Sequence, residues 1–257
     1  MAAICNVGSL TLGEGRPKII VSILGKTEDE VLKNARALND NPLVQLCEWR
    51  ADHFSGAPDV EKTLSLLAKI RAVVPEKPLV FTFRTAQEGG QKTIEAAQYV
   101  QLCNAVAASQ TADLIDVEMF FSSAAAQCVS AVHAHGGKVI GSWHNFEKTP
   151  TRAEIIVRLE AMQRMGADVL KMAVMPQNAQ DVTTLMSAVS EVHTTACRPL
   201  CAMSMGATGC ITRMAGESFG SCLTFATVGE ASAPGQISVS QLHAVLDILH
   251  ESMQGRQ

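Results

Sequence analysis

The sequence predicts an α/β protein that folds as one (β/α)8 TIM barrel. Short apolar runs alternate with patterns of helical spacing along the 257 residues, at a mean repeat of roughly 30 residues. No linker, low-complexity tract or shift in composition interrupts this alternation, so residues 1–257 are expected to form a single domain. A doubly wound open sheet is the alternative, but the first apolar run is not followed by the G-x-G-x-x-G pattern of dinucleotide-binding folds.

The predicted strands are about six residues long and rich in aliphatic side chains, which favours strands buried on both faces. They cover residues 18–24, 43–49, 79–84, 114–119, 138–143, 168–174, 199–204 and 222–227. Apolar residues at helical spacing predict helices over 28–38, 60–73, 93–108, 124–135, 152–165, 179–194 and 239–253. The stretch 205–219 is a weaker helical candidate because it holds three glycines. Residues 1–17 are expected to cap the amino-terminal end of the barrel.

Composition excludes several classes of partner. The chain is 47% hydrophobic with a net charge of −4, and it has no basic stripe, so nucleic acid is not an expected partner. No apolar run reaches the roughly 18 residues of a membrane helix and no secretory signal opens the chain, which predicts a cytoplasmic protein with no membrane partner. The eight cysteines include no C-x-x-C pair, so we expect buried, reduced thiols.

Polar and charged residues, which are costly to bury, lie at the carboxyl ends of the predicted strands. Barrel enzymes carry their catalytic residues at these strand ends. Side chains alternate along a strand, so the polar members point inward while Cys47, Trp49 and Trp143 point towards the helices. The inward set comprises Glu48, Arg50, Arg84, Asp116, Glu118, His144 and Lys171. Taken singly, a strand-end histidine or a Glu–Arg pair is more often structural. Five strands that deliver titratable groups to one pocket are hard to explain by stability alone.

Lys171 lies alone in an apolar run, and burying an unpaired ammonium is costly. We expect burial to lower the pKa of Lys171, so that a neutral amine attacks a ketone and forms an iminium. The iminium acidifies the adjacent C–H bonds, and His144 is suited to remove a proton because its pKa lies near neutrality. Glu88 or Asp116 is a candidate to orient or tune His144.

The predicted surroundings of Lys171 indicate a class of substrate. Met203 and Met205 supply apolar surface that would exclude water from the lysine. Arginines at several strand ends favour a carboxylate, since a guanidinium grips one through two parallel hydrogen bonds. We therefore expect Schiff-base chemistry on a small carboxylated keto compound. No H-x-x-x-H or Cys/His cluster is present, so no metal site is expected.

Several short runs occur in one order along nearly the whole chain. They are PKIIVS (17–22), EWRADH (48–53), FTFR (81–84) with EGG (88–90), HNFEKTP (144–150), KMA (171–173), MSMG (203–206) and ASAPGQI (231–237). Any one of these runs is weak evidence. Together they closely resemble type I 3-dehydroquinate dehydratases.

This resemblance implies roles for individual residues. Lys171 would form an imine with the substrate ketone, and His144 would take the C2 proton and return it to the leaving hydroxyl. Arg213 resembles the residue that grips the substrate carboxylate. Positions similar to those that bind hydroxyls, the carbonyl or the carboxylate are Ser22, Glu48, Arg50, Arg84, Ser232 and Gln236. The small residues of 229–238 resemble a lid that closes over the ligand.

The resemblance also implies a reaction and an assembly. The reaction is the syn elimination of water that converts 3-dehydroquinate to 3-dehydroshikimate, a lyase step of the shikimate pathway of aromatic amino acid biosynthesis. Family members use no cofactor or metal and are commonly homodimers. Two positions depart from the family pattern, namely Asn145 where many relatives have Asp and Trp143 where Tyr is common. Both changes are mild, because Asn still makes hydrogen bonds and Trp143 points away from the pocket by strand alternation.

Two other functions remain open on the sequence. A class I aldolase also uses a lysine Schiff base in a barrel, but it often needs a phosphate site near the last strands. Arg213 and the segment 232–236 occupy that region here. The second alternative is a paralogue that binds a quinate-like ligand without catalysis, which the presence of both Lys171 and His144 argues against.

Overall fold

The computed structural model describes residues 3–229 and 236–255. The chain begins with an antiparallel hairpin, β1 (Cys5–Val7) and β2 (Leu10–Leu12). Eight parallel strands follow: β3 (Lys18–Ile23), β4 (Leu46–Arg50), β5 (Leu79–Thr82), β6 (Leu114–Glu118), β7 (Lys138–Asn145), β8 (Val169–Val174), β9 (Leu200–Ser204) and β10 (Leu223–Thr227). A two-residue strand, β11 (Ile237–Ser238), pairs with the end of β10.

The eight parallel strands close into a barrel. Each of β3 to β8 pairs with the next strand in sequence, and β10 pairs back onto β3. The pairing of β9 with β10, which closes the barrel, is shorter than the pairing of the other strands. It consists of a bridge between Leu200 and Ser221 and a 2.7 Å hydrogen bond from the Cys222 N–H to the Leu200 carbonyl. This architecture is the (β/α)8 barrel that the sequence predicts.

Helices cover the outside of the barrel. They are α1 (Glu28–Asn39), α2 (Val60–Val73), α3 (Ala96–Ser109), α4 (Ala125–Ala134), α5 (Arg152–Arg164), α6 (Ala179–Thr195), α7 (Ile211–Met214), α8 (Gly216–Phe219) and α9 (Val239–Gln254). Local sequence fixes where several of them begin. Thr27 and Thr151 each accept a hydrogen bond from the backbone N–H of a glutamate three residues on, and that glutamate caps in return. No helix in the described part of the chain is long and apolar enough to span a membrane.

The stretch 205–219 differs from the single weak helix expected of it. Gly206 takes a left-handed conformation with φ of 69°, and a Cβ on Gly209 would collide with the Ser204 carbonyl. The chain therefore turns back over the end of β9 before it forms the two short helices α7 and α8. These glycines permit the close approach that brings Arg213 to the mouth of the barrel.

The amino-terminal end of the barrel interior is filled with apolar side chains. Leu46, Leu114 and Ile140 point inward from their strands and are at most 1% exposed. Val7 and Leu12 of the hairpin belong to the same buried cluster. A second, larger core lies between the strands and the helices. The hairpin thus covers one end of the barrel, and the polar residues collect at the other.

The cysteines are all free thiols. Six of them are buried, as the sequence predicts, while Cys210 is half-buried and Cys197 is exposed. Within residues 3–229 and 236–255, no group of three or more His, Cys, Asp or Glu side chains is arranged to hold a metal ion.

Candidate active site

An open cavity of about 210 Å³ lies at the carboxyl ends of the barrel strands. Its lining comprises Ser22, Glu48, Arg50, Arg84, Glu88, Gly89, His144, Phe146, Lys171, Ala173, Met203, Met205, Arg213, Phe225 and Gln236. Of the site residues predicted from the sequence that lie in the described part of the chain, only Asp116 is missing from this lining. Asp116 lies directly behind it, in contact with Lys171 and Arg84. Ser232 and most of the predicted lid lie outside the described residues.

Lys171 projects inward from β8 and is 4% exposed. Its Nζ donates hydrogen bonds to Asp116 Oδ2 at 3.0 Å and to Glu48 Oε1 at 3.3 Å. The same atom lies 4.7 Å from the centre of the Phe225 ring, which is within the range of a cation–π contact. Two carboxylates and one aromatic face therefore hold the amine at a fixed place in the cavity wall.

The expectation that burial lowers the pKa of Lys171 is wrong. Burial by itself lowers this pKa, but Asp116 and Glu48 together raise it by more, and Arg84 offsets only part of their effect. The net pKa therefore lies above the ordinary lysine value. Glu48 lies on β4 and Lys171 on β8, so their contact across the barrel is invisible in the sequence. Lys171 is an ammonium at neutral pH and must lose a proton before it can act as a nucleophile.

His144 lies near the end of β7, and Glu88 fixes its ring. The Nδ1 atom lies 2.9 Å from Glu88 Oε2, and the same oxygen accepts the His144 backbone N–H at 3.0 Å. Burial holds the pKa of His144 well below its ordinary value, with help from the charges of Arg84, Lys171 and Arg50. The imidazole is therefore neutral. Because Nδ1 is occupied by Glu88, Nε2 is the nitrogen that remains for a ligand.

Glu88 keeps its proton to an unusually high pH. Burial raises the pKa of its carboxyl to about 8; Arg84 lowers it, while Glu118 and Asp116 add to the increase. Glu88 and His144 thus form a coupled pair whose proton belongs to both groups. Of the two carboxylates considered as partners for His144, the structure places Glu88 against the imidazole and Asp116 against the lysine.

Arg84 is the centre of a buried ion network. Its Nη2 donates to Asp116 at 2.8 Å, and its Nη1 lies 2.9 Å from both Glu118 and Ser142 Oγ and 3.4 Å from Glu88. Burial lowers the pKa of this guanidinium, but the three carboxylates raise it well above the ordinary value. Arg84 therefore stays charged and organises the carboxylates behind the cavity wall.

Glu48 and Ser22 form a polar corner beside Lys171. Ser22 Oγ donates to Glu48 Oε2 at 2.6 Å, and Thr82 Oγ1 donates to Oε1 at 3.0 Å. Burial raises the pKa of Glu48, but Lys171 and Arg50 more than offset this, so the net pKa is lowered. The corner presents a carboxylate and a hydroxyl, which suits a ligand rich in hydroxyl groups.

The part of the cavity wall formed by β9, β10 and α7 is mostly apolar and contains one buried cation. Met203, Met205 and Phe225 line it, and Arg213 of α7 lies among them at 2% exposure. The Nη1 of Arg213 lies 3.5 Å from the Met203 sulfur, and its backbone carbonyl accepts a hydrogen bond from Thr224 at 2.8 Å. Burial lowers the pKa of Arg213 to about 10, so the guanidinium is still charged at neutral pH. Such a wall suits an anion on an otherwise apolar ring face.

Comparison with known proteins decides the family. The model of the type I 3-dehydroquinase family matches residues 19–253. The chain belongs to the type I 3-dehydroquinase family. A 3-dehydroquinate dehydratase of Salmonella typhimurium is 46% identical to it over 249 residues, which make up 96% of this chain and 98% of that protein. The resemblance seen in the sequence motifs is confirmed.

Solved structures of the type I family extend this match to the whole fold. A type I 3-dehydroquinate dehydratase from Clostridium difficile, whose structure contains covalently modified comenic acid, superposes with a TM-score of 0.94 at 42% identity. It covers 98% of this chain and 100% of its own. The enzyme of Geobacillus kaustophilus gives a TM-score of 0.94 at 32% identity over 100% of both chains. The chain is therefore an enzyme of this family, and the aldolase alternative loses its support.

The two positions that depart from the type I pattern lie away from the cavity. The guanidinium of Arg158 lies 4.1 Å from the centre of the Trp143 ring, so Trp143 faces α5, as strand alternation predicts. Asn145 Oδ1 accepts the backbone N–H groups of Glu147 at 2.9 Å and Lys148 at 3.0 Å. Asn145 thus closes the turn after β7 and does not line the cavity.

Several residues and contacts of this type I site were not predicted from the sequence. Strand alternation predicts that Glu118 points inward, but it does not predict the contact with Arg84 that Glu118 shares with Ser142. Phe225 lies in an apolar strand, so the sequence indicates a core residue, but its ring contacts Lys171. Phe146 lines the mouth although it follows the end of its strand. Asp52 lies in a 3-10 turn just after β4, where alternation gives no guidance.

Proposed function

We propose that the protein converts 3-dehydroquinate to 3-dehydroshikimate and water through an imine on Lys171. The observation that carries this proposal is the placement of Lys171, buried at the carboxyl ends of the strands, in one cavity with the His144–Glu88 pair. Membership of the type I family supplies the substrate. The site offers a nucleophile, a base and an anion-binding wall, which are the three groups that the reaction needs.

The substrate would be held by complementary walls. Arg213 lines the cavity and is placed to receive the carboxylate, which a guanidinium can bind through two parallel hydrogen bonds. Ser22, Glu48, Arg50 and Gln236 line the rest of the cavity and are available to the hydroxyls. Arg84 also lines the cavity and adds positive potential to it. The ketone would then lie at Lys171, between the polar corner and Phe225.

Imine formation begins with loss of the Lys171 proton. Asp116 and Glu48 accept hydrogen bonds from the Lys171 ammonium, and neutral His144 is a base in the same cavity. The free amine adds to the ketone carbon. The resulting carbinolamine takes up a proton on its oxygen and expels one water molecule, which leaves a protonated imine. Asp116 and Glu48 then stabilise the iminium charge where they previously stabilised the ammonium.

Elimination follows from the electron demand of the iminium. His144 Nε2 removes the C2 proton, and the electron pair of the C–H bond flows into the imine to give an enamine. The enamine expels the C1 hydroxyl, which takes a proton from His144 and leaves as water. One residue on one face thus removes the proton and returns it, which gives a syn elimination. Addition of water to the conjugated iminium releases 3-dehydroshikimate and restores Lys171.

Borohydride trapping tests this mechanism. The protein is mixed with 3-dehydroquinate, treated with borohydride, and analysed by intact and peptide mass spectrometry. The expected result is a reduced adduct on the peptide that contains Lys171. The matched control is Lys77→Ala, which removes a lysine at the opposite end of the barrel, where its Nζ donates to the backbone carbonyls of Asn41 and Val44. This variant should trap as the unchanged protein does.

The trapping result also separates the alternatives. Turnover without an adduct on Lys171 would refute the imine mechanism while leaving the dehydratase assignment intact. Binding of 3-dehydroquinate with neither turnover nor adduct would favour a paralogue that binds without catalysis. We also propose, on the family resemblance, that the enzyme is cytoplasmic and a homodimer. Sedimentation equilibrium measures the second point, and a monomer at micromolar concentration would contradict it.

A further inference from the structure

Asp52 is a completely buried carboxylate that the mechanism above does not use. Arg50 Nε donates to its Oδ1 at 2.8 Å and Arg50 Nη2 donates to its Oδ2 at 2.9 Å, in a two-pronged ion pair. The same two oxygens accept the backbone N–H groups of Arg84 at 3.3 Å and Gln91 at 3.1 Å. Four hydrogen bonds from three parts of the chain therefore meet on one side chain.

These bonds join segments that carry cavity residues. Arg50 ends β4 and lines the cavity. Gln91 belongs to the loop 85–92, which carries Glu88. That loop is closed at its base by hydrogen bonds from the Ala86 N–H to the Lys92 carbonyl and from the Gly90 N–H to the Thr85 carbonyl, both at 2.8 Å. Asp52 thus ties a cavity arginine to the base of the loop that supports the histidine.

The charge state of Asp52 makes this tie strong. Burial raises the pKa of the Asp52 carboxyl, but the hydrogen bonds and charge of Arg50 lower it by more, so the net pKa is below its ordinary value. Asp52 is therefore an anion at neutral pH. The Arg50 side chain is only 13% exposed. Asp52 holds its Nε and Nη2 atoms, and the side chain also lines the cavity.

We propose that Asp52 is a positioning residue that fixes the Arg50 guanidinium at the cavity wall before a ligand arrives. A guanidinium held by two bonds loses little rotational freedom when it binds a ligand, and this lowers the cost of binding. The proposal rests on the proposed function in that Arg50 contacts the substrate. It assigns Asp52 to substrate binding through Arg50 and not to the chemical steps.

A double-mutant cycle tests this coupling. Asp52→Asn should raise KM for 3-dehydroquinate about tenfold, since a charge-assisted pair to Arg50 is lost, and should change kcat less. Arg50→Lys keeps a charge opposite Asp52 but lacks the two-pronged geometry. In the Arg50→Lys background, Asp52→Asn should change KM by less than about twofold. Equal effects in both backgrounds would overturn the proposal. If Asp52→Asn does not fold, Asp52→Glu, which keeps the charge but displaces it, takes its place in the cycle.

Asp113→Asn is the matched control. Asp113 also accepts from an arginine, Arg71, and from a backbone N–H, that of Leu79, but at the amino-terminal side of the sheet. This variant should lower Tm and leave KM unchanged. A loss of Tm without a rise in KM for Asp52→Asn would reduce Asp52 to a purely structural residue and contradict the proposal.

A spectroscopic measurement separates this proposal from the proposed function. In protein labelled with ¹⁵N-arginine, the Nε–H resonance of Arg50, assigned by its loss in Arg50→Lys, should be protected from solvent exchange. Asp52→Asn should abolish that protection. Protection that persists would refute the positioning role whether or not 3-dehydroquinate is a substrate. Failure of the unchanged protein to turn over 3-dehydroquinate, with protection lost in Asp52→Asn, would refute the proposed function alone.

Discussion

One oxygen of Glu88 contacts His144 twice, through the imidazole Nδ1 at 2.9 Å and through the backbone N–H at 3.0 Å. The carboxyl therefore fixes both the ring and the strand end that bears it. The proton between these groups belongs to the pair, because burial raises the pKa of Glu88 to about 8 and lowers the pKa of His144 well below its ordinary value.

Replacement of the base should separate imine formation from elimination. His144→Ala should still form the imine slowly, but it should lower kcat by roughly 10² to 10⁴, the range for loss of a general base. Stopped-flow and borohydride quenching should show an adduct that accumulates on Lys171. His135→Ala, at the end of α4 and away from the cavity, is the control and should be unaffected. Near-normal turnover of His144→Ala would remove this residue from the mechanism.

Two replacements of Lys171 should both abolish activity but should differ in their free energy of unfolding. Lys171→Arg keeps a cation opposite Asp116 and Glu48, so it should remain folded but inactive. Lys171→Ala leaves two buried carboxylates without their cation, which costs roughly 3–5 kcal/mol of unfolding free energy. Urea unfolding measures the difference between the two variants. Dehydratase activity in Lys171→Arg would contradict the imine mechanism.

Stability should depend on pH through Glu88. The pKa of this carboxyl is about 8 in the folded state against an ordinary value of 4.5, so the folded chain holds a proton that the unfolded chain has released. This contribution to stability is complete below the unfolded pKa and is lost as pH rises through the folded pKa. His144, with its lowered pKa, acts in the opposite direction only at pH values below its ordinary 6.5.

The measurement is urea unfolding between pH 6.5 and pH 8, a window set by the ordinary pKa of His144 and the raised pKa of Glu88. The free energy of unfolding should fall in this window by up to about 1.4 kcal/mol per pH unit, the value for one proton. Glu88→Gln should remove this part of the slope. Glu160→Gln, on the exposed face of α5, is the control and should retain it. The same slope in Glu88→Gln would show that another group releases the proton.

Replacement of Arg213 should act on binding. Arg213→Ala should raise KM for 3-dehydroquinate by about tenfold to a hundredfold, the worth of a charge-assisted pair, with a smaller change in kcat. Isothermal titration with the product 3-dehydroshikimate should show a parallel loss of affinity. Arg198→Ala, an arginine at the amino-terminal side of the barrel, is the control. An unchanged KM in Arg213→Ala would move the carboxylate to another cation of the cavity.

Much of the fold could be predicted from the sequence because each buried strand is a local apolar run. Strand alternation then indicated which polar side chains point inward, and Glu48, Arg50, Arg84 and Lys171 do line the cavity. Alternation says nothing about partners across the barrel. Consequently the pKa of Lys171 was expected to move in the wrong direction, since two carboxylates from other strands control it.

Other misses have local causes. The predicted strand 43–49 begins only at Leu46, because Asn41 Oδ1 accepts the N–H of Leu43 and the Asn41 carbonyl accepts the N–H of Val44, which makes a turn there. The glycines of 205–219 looked like weak points in a helix, whereas they allow the chain to fold back over β9. Asp52 lies in the turn after β4, where strand alternation does not predict which way a side chain points. Contacts between residues that are far apart in the sequence cannot be predicted from a single sequence.

The hairpin of Cys5–Val7 and Leu10–Leu12 has a kinetic consequence. In the described part of the chain, its side chains and the aliphatic layer above them close one end of the barrel, so substrate, product and the eliminated water pass through the opening at the carboxyl ends of the strands. Product must leave the cavity before the next substrate enters, because the two molecules bind at the same site. 3-Dehydroshikimate should therefore act as a purely competitive inhibitor, and slow exit at that opening would limit turnover whenever the chemistry is fast.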